Sequence, residues 1–155
     1  MKASKSIDFV LRYYNNIKRA VNEKRLDPNT PHSGGGGHAR ISDPTAIKAI
    51  RNTEELAAVE VFFGAAVNGK TESMTLHRPE SWLRVIDLAK AHFAGQVHWS
   101  IITMKYNENL SREEIVKRLN IGRTLYHVAL NDVFVFAEGV AAGLKLVPAG
   151  MPRRA

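Results

Sequence analysis

Residues 111–128 leave the backbone fewer choices than any other stretch of this chain. Ser111-Arg-Glu-Glu114 forms a capping box: the Ser111 hydroxyl takes a free amide of the first helical turn, and Glu114 reaches back to the Ser111 N–H. Ile115, Val116 and Leu119 carry the helix on, and Asn120-Ile121-Gly122 stops it within three residues. Arg123 then opens a second helix. Ile115, Leu119, Ile121, Leu125 and Val128 are expected to meet in a small core between the two. A short turn that contains Gly and plugs the core with an apolar residue is the helix-turn-helix arrangement. A helical pattern from Val97 to Tyr106 precedes it, and the second helix continues past Asn131 to Leu146, which sets the whole unit at 97–146.

The exposed start of the second helix is then expected to present Arg123, Thr124, Tyr126, His127 and, one turn on, Asn131. In a DNA-binding unit of this shape those positions enter the major groove. Arg reads guanine bidentately and Asn reads adenine, while Thr124 and Tyr126 suit phosphate or the thymine methyl. Arg112, Lys117 and Arg118 on the first helix would flank the phosphate backbone. The rival reading of the same residues is a structural helical hairpin with no DNA role.

Charge agrees with an anionic partner. The chain carries +7 at neutral pH with a pI near 9.9. Residues 1–31 hold seven Lys/Arg against three Asp/Glu, residues 32–96 hold seven of each, and residues 97–155 hold eight against five. The excess therefore sits at the two ends. Cysteine is absent, which excludes disulfides and thiolate metal sites and is compatible with a reducing cytoplasm. Hydropathy predicts no apolar run of the ~18–20 residues a membrane span needs, and no secretory signal at Met1.

The rest of the chain reads as helices. Ile7, Val10, Tyr14, Ile17 and Val21 share one face of a helix from Ile7 to Leu26, with Lys18, Arg19, Lys24 and Arg25 around it. Residues 27–41 hold two prolines and four consecutive glycines and read as a flexible linker. The glycines lack the Lys-Ser/Thr and the preceding strand of a phosphate loop. Asp43 as N-cap and Pro44 at the first helical position open a helix expected to reach Asn68. Its part from Leu56 to Val67 is apolar on nearly every side. Residues 69–78 read as a polar connection, and Pro79 starts a helix that Gly95 ends. The expected fold is all-α: an N-terminal helix at 1–26, the linker, and a helical domain at 42–155 with the helix-turn-helix and a long final helix.

The run Ser111-Arg-Glu-Glu-Ile-Val-Lys-Arg-Leu-Asn-Ile-Gly-Arg-Thr-Leu-Tyr-His-Val resembles the region-four helix-turn-helix of sigma factors. The layout of the chain resembles small phage regulators of the RinA and ArpU type. The resemblance is specific over residues 97–146 and one of layout elsewhere. It implies a transcriptional activator from a phage or prophage. The expected partners are double-stranded DNA, further copies of the chain in a homo-oligomer, and RNA polymerase, whose contact would also fit a protein-binding module. Phe134, Phe136, Val140 and Leu144 make the final helix more apolar than that pattern, and Gly139 and Gly143 interrupt it. A DNA-recognition subunit of the small terminase kind, or a protein-binding module, would use similar parts.

Other constellations point to less. His32, His38, His77, His92, His98 and His127 do not fall in a helical metal-binding spacing, so no metal or other cofactor is expected. No nucleophile elbow and no thiol is present, and no motif places a catalytic group. Trp82 and Trp99 read as core. Tyr13 and Tyr14 read as helix packing, with stacking on single-stranded nucleic acid as the alternative. Glu60, isolated in the apolar stretch, is expected to pair with Arg84 or Lys90.

Overall fold

The computed structural model describes residues 2–27, 54–67 and 70–146. Residues 28–41 of the expected linker, the Asp43-Pro44 helix start, His32 and His38 lie outside the described residues. The elements are α1 (Lys2–Arg12), α2 (Tyr14–Leu26), β1 (Ala58–Val67), β2 (Lys70–His77), α3 (Pro79–His92), α4 (Val97–Ile102), a π-helical turn (Thr103–Asn107), α5 (Arg112–Leu119) and α6 (Arg123–Gly143).

The fold is mostly helical but not all-α. Where a helix was expected to run to Asn68, residues 58–67 form a strand, and the expected polar connection is its antiparallel partner. Alternation explains the pairing. Val59 and Val61 are buried while Glu60 and Phe62 are exposed, and Leu76 is buried between exposed Thr75 and His77. Val59 faces Leu76 and Val61 faces Met74 on the inner side. Gly64, at φ +87°, takes the left-handed conformation where the register shifts beyond Phe63. On the outer side Glu60 accepts the Ser73 hydroxyl at 2.6 Å, a partner within the hairpin that was not among those expected.

Contacts divide the chain into two compact units, residues 15–81 and residues 1–14 with 82–155. In the first unit α2 lies against the hairpin with Ile17 and Val21 buried. Asn16 Nδ2 donates to the Phe62 carbonyl at 2.9 Å and Lys24 Nζ to the Ala58 carbonyl at 2.6 Å. Arg25 donates to Glu80 through Nε at 2.8 Å and through Nη2, and to the Glu54 carbonyl at 2.9 Å. Glu80 also accepts the Leu56 amide at 2.9 Å. Lys24 and Arg25, which read as surface decoration, therefore tie three segments together.

The second unit is a helical cluster of α1, most of α3, α4, α5 and α6. The expected single helix from Ile7 to Leu26 is interrupted at Tyr13. α1 buries Ile7, Val10 and Leu11, and α6 buries the stripe Tyr126, Ala129, Val133, Ala137 and Ala141. The π turn follows α4 directly and carries Tyr106 into the core, where its hydroxyl donates to Asp8 of α1 at 2.6 Å. Trp82 is buried and Trp99 half-buried. α6 is, by length and composition, long and apolar enough to cross a membrane, a correction to the expectation that no segment reaches that length.

Two tyrosine hydroxyls in this unit titrate against their surroundings. Burial, and then the hydrogen bond to Asp87 at 2.6 Å, pushes Tyr14 up to about 12. Burial and Asp8 push Tyr106 further up. A folded pKa above the unfolded value of ~10 gives stability that is complete below pH ~10 and is lost as pH rises through the folded pKa. Tyrosinate absorbance should therefore lag behind free tyrosine and appear together with loss of helical circular dichroism. Tyr106→Phe should uncouple part of the two; an ordinary titration in a still-folded chain would contradict these contacts.

Candidate nucleic-acid interface

The segment around α5 folds as its local chemistry requires. Ser111 stands in extended backbone, its hydroxyl accepts the Glu114 amide, and Glu114 accepts the Ser111 N–H at 2.8 Å, which completes the capping box. The Ser111 amide and hydroxyl hold the Glu114 carboxyl below the usual carboxylate range. α5 ends at Asn120, which takes the left-handed conformation at φ 51°, ψ 50°. Asn tolerates this better than other residues with a Cβ. The Asn120 amide donates to the Lys117 carbonyl at 3.3 Å and the Ile121 amide to the Val116 carbonyl at 3.1 Å. That pair of bonds is a Schellman closure, and it turns Ile121 back toward the core. Gly122 leads into α6, where the Tyr126 amide donates to the Gly122 carbonyl at 3.1 Å.

The core under this turn differs from the expected one in the phase of α6. Ile101, Ile115, Tyr126 and Ala129 are its buried members, with Leu119, Ile121 and Leu130 packed around them. Leu125 and Val128, expected inside, are 43% and 50% exposed. Tyr126, expected on the DNA-reading edge, is 4% exposed and belongs to the core. The reason is that α1 and α4 also press on α6. Its buried stripe must serve a cluster of helices rather than α5 alone, and this rotates Tyr126 inward. Burial raises the Tyr126 pKa, with the Arg112 charge acting against it.

The other expected edge residues are exposed: Arg123 and Thr124 in the first turn of α6, then His127 and Asn131. His127 and Asn131 also line an open groove of about 610 Å³ with Ser4, Lys5 and Asp8 of α1. Lys5 was not singled out from the sequence. No spacing rule links it to α6, and only the packing of α1 brings it there. Arg112, Lys117 and Arg118 are exposed on α5. Arg112 pairs with Glu113 at 2.6 Å and Arg118 with Glu108 at 2.7 Å, acidic neighbours that the sequence reading left out. The hydrogen bond from Arg112 is the chief cause that lowers the Glu113 pKa, and the Arg123 charge adds to it.

The histidines near the end of α3 are held by rings rather than arranged for ligation. His92 stacks on Phe136 at 4.2 Å and 13°, and His98 stacks on Phe93 at 4.9 Å and 23°. His98 Nε2 lies 3.4 Å from Asp132. Among the described residues no group of three or more His, Asp or Glu is placed to hold a metal ion.

The site therefore offers the exposed amino end of α6 with Arg123, the exposed Lys117 on α5, and Arg112 and Arg118 in exposed ion pairs. Such a surface suits a polyanion with readable edges. No protein-family model, curated protein or solved structure gives a significant match to this chain.

Proposed function

We propose that this chain is a duplex-DNA-binding transcriptional regulator that reads the major groove with the amino end of α6. One observation carries the reading: a capped short helix, a closed three-residue turn, and the exposed side chains Arg123, Thr124, His127 and Asn131 at the start of a long helix. A helix presented in this way places its first turns in the groove, while the preceding helix meets the backbone. Tyr126 has no part in this edge. The resemblance to RinA- and ArpU-type regulators supports a phage or prophage origin, and the exposed apolar face of α6 supports homo-oligomeric action.

Three carboxylates, Glu108, Glu113 and Glu114, oppose the four cations on this face. Exposed ion pairs are worth only ~0–1 kcal/mol, so Arg112 and Arg118 can exchange their carboxylates for phosphates at little cost. Four neutralised phosphates give a salt slope of about −0.9 each. Fluorescence anisotropy on a labelled mixed-sequence duplex should show log K falling linearly with log salt, with a slope of about −3 to −4. Absence of binding at low salt, or binding indifferent to salt, would sink the proposal.

A further inference from the structure

The face of α6 turned away from the core is not that of an ordinary surface helix. Leu125, Val128, Asp132, Val135, Gly139 and Ala142 recur at alternating spacings of three and four, and all six are exposed. Leu125, Val128 and Val135 are 43%, 50% and 57% exposed. A helix on the surface of a monomer puts charged and polar residues there. This one instead keeps a heptad seam, the spacing by which one helix packs along another.

The seam complements itself in one direction. With two copies antiparallel and Asp132 opposite Val135, Val128 falls opposite Gly139 and Leu125 opposite Ala142. Each larger side chain meets a smaller one, and a two-fold axis repeats every pair. In a parallel pair Leu125 would meet Leu125 and Gly139 would meet Gly139, crowded at one end and empty at the other. The antiparallel register also sets each Asp132 against Val135 rather than against its own copy, with His98 3.4 Å away. The charges agree: the positive amino end of each helix dipole lies beside the negative carboxyl end of the other.

We propose that α6 of this chain pairs antiparallel with α6 of a second copy through this seam. Three half-exposed aliphatic side chains per copy fall well short of the ~800 Å² per partner that a stable interface buries. The pair is therefore weak alone and forms where two copies are already held side by side. The duplex does this, and here the argument rests on the DNA reading. A two-fold axis normal to both helices leaves the two reading edges on the same side. In this register Arg123 lies across from Leu144, which at ~1.5 Å per residue separates the two Arg123 positions by roughly 30 Å. Successive major grooves are ~34 Å apart.

The absence of native cysteine makes cross-linking specific. Val128 is exposed, and a Cβ on Gly139 meets nothing within 4 Å, so Val128→Cys and Gly139→Cys should both fold. The two full-length variants, one carrying an affinity tag, are mixed and oxidised with and without a long mixed-sequence duplex. Disulfides should join Val128→Cys to Gly139→Cys about tenfold in excess of either homodimer, because only Cα atoms within ~7 Å can be bridged. Duplex should raise the yield, and adding Val135→Glu to both chains should abolish it. Predominant Val128→Cys homodimers, or no cross-link in either condition from variants with native circular dichroism, would overturn the pairing. Cross-linking by a chain that binds no duplex would keep the pairing and discard the DNA reading. Duplex binding without cross-links would do the reverse.

Discussion

Ile115→Ala should destabilise the helical unit by about 2–5 kcal/mol, the range for a large-to-small change at a fully buried aliphatic site. Ile115 is 0% exposed, and it is the one residue of α5 that is fully buried. α5 is too short to hold helical structure on its own. What keeps it in place is its capping box, the Schellman closure at Asn120, and Ile115 set against Ile101, Tyr126 and Ala129. Truncation removes the transfer energy of the lost carbons and leaves a cavity that the two end-caps prevent the helix from closing. Leu125→Ala is the matched control. At 43% exposure it should cost under ~1 kcal/mol, although the sequence pattern assigns both residues to the same core. Both tryptophans, Trp82 and Trp99, belong to this unit, so tryptophan fluorescence in urea follows its unfolding separately from the hairpin unit. Equal costs at Ile115 and Leu125 would contradict a core in which Tyr126, not Leu125, turns inward.

That contrast shows how far the sequence could be read. Signals made by neighbouring residues were legible: the Ser111–Glu114 box, the break at Asn120-Ile121-Gly122, Pro79 opening α3. Each depends on a side chain meeting backbone within one turn, so nothing distant can change it. The phase of α6 was not legible. Leu125 and Tyr126 are adjacent and both large, and which of them turns inward depends on α1 and α4, which also pack on α6. The strand at 58–67 was missed for another reason. The run from Leu56 to Val67 is apolar on nearly every side, so a period of two shows only weakly around Glu60, and its length of more than ~10 residues favours a helix. Two local signals were present in the sequence: Val59 and Val61 alternate with Glu60 and Phe62, and the dipeptide Asn68-Gly69 that follows the run is a strong short hairpin signal. The candidate site inherits the same division. Its exposed residues at the start of α6 and the pairing of Arg112 with its neighbour Glu113 are local, whereas the exclusion of Tyr126, the pairing of Arg118 with Glu108 and the nearness of Lys5 are products of packing.

Arg123→Ala and Lys117→Ala should weaken duplex binding in different ways. Arg123 stands at the first position of α6, beside Thr124 and on the side that carries His127 and Asn131, where a guanidinium can reach a base edge. Its loss should cost about 1–3 kcal/mol and relax selection at one base pair in sequences recovered from random duplex. Lys117 is exposed on α5, the helix that in the DNA reading meets the phosphate backbone rather than the base edges. Its loss should weaken all sequences alike and reduce the salt slope by about 1. Glu113 supplies the sign test. Its carboxylate binds Arg112 and feels the charge of Arg123, so it competes with phosphate for both. Glu113→Gln should therefore tighten binding at low salt, with the gain fading as salt screens the surface. Ser111→Ala would also alter this face, but by loosening α5, and its effect should follow stability rather than salt. If Arg123→Ala and Lys117→Ala both leave binding and sequence preference unchanged while Glu113→Gln weakens it, phosphate is not what this face meets. The exposed start of α6 would then have to serve a protein surface instead.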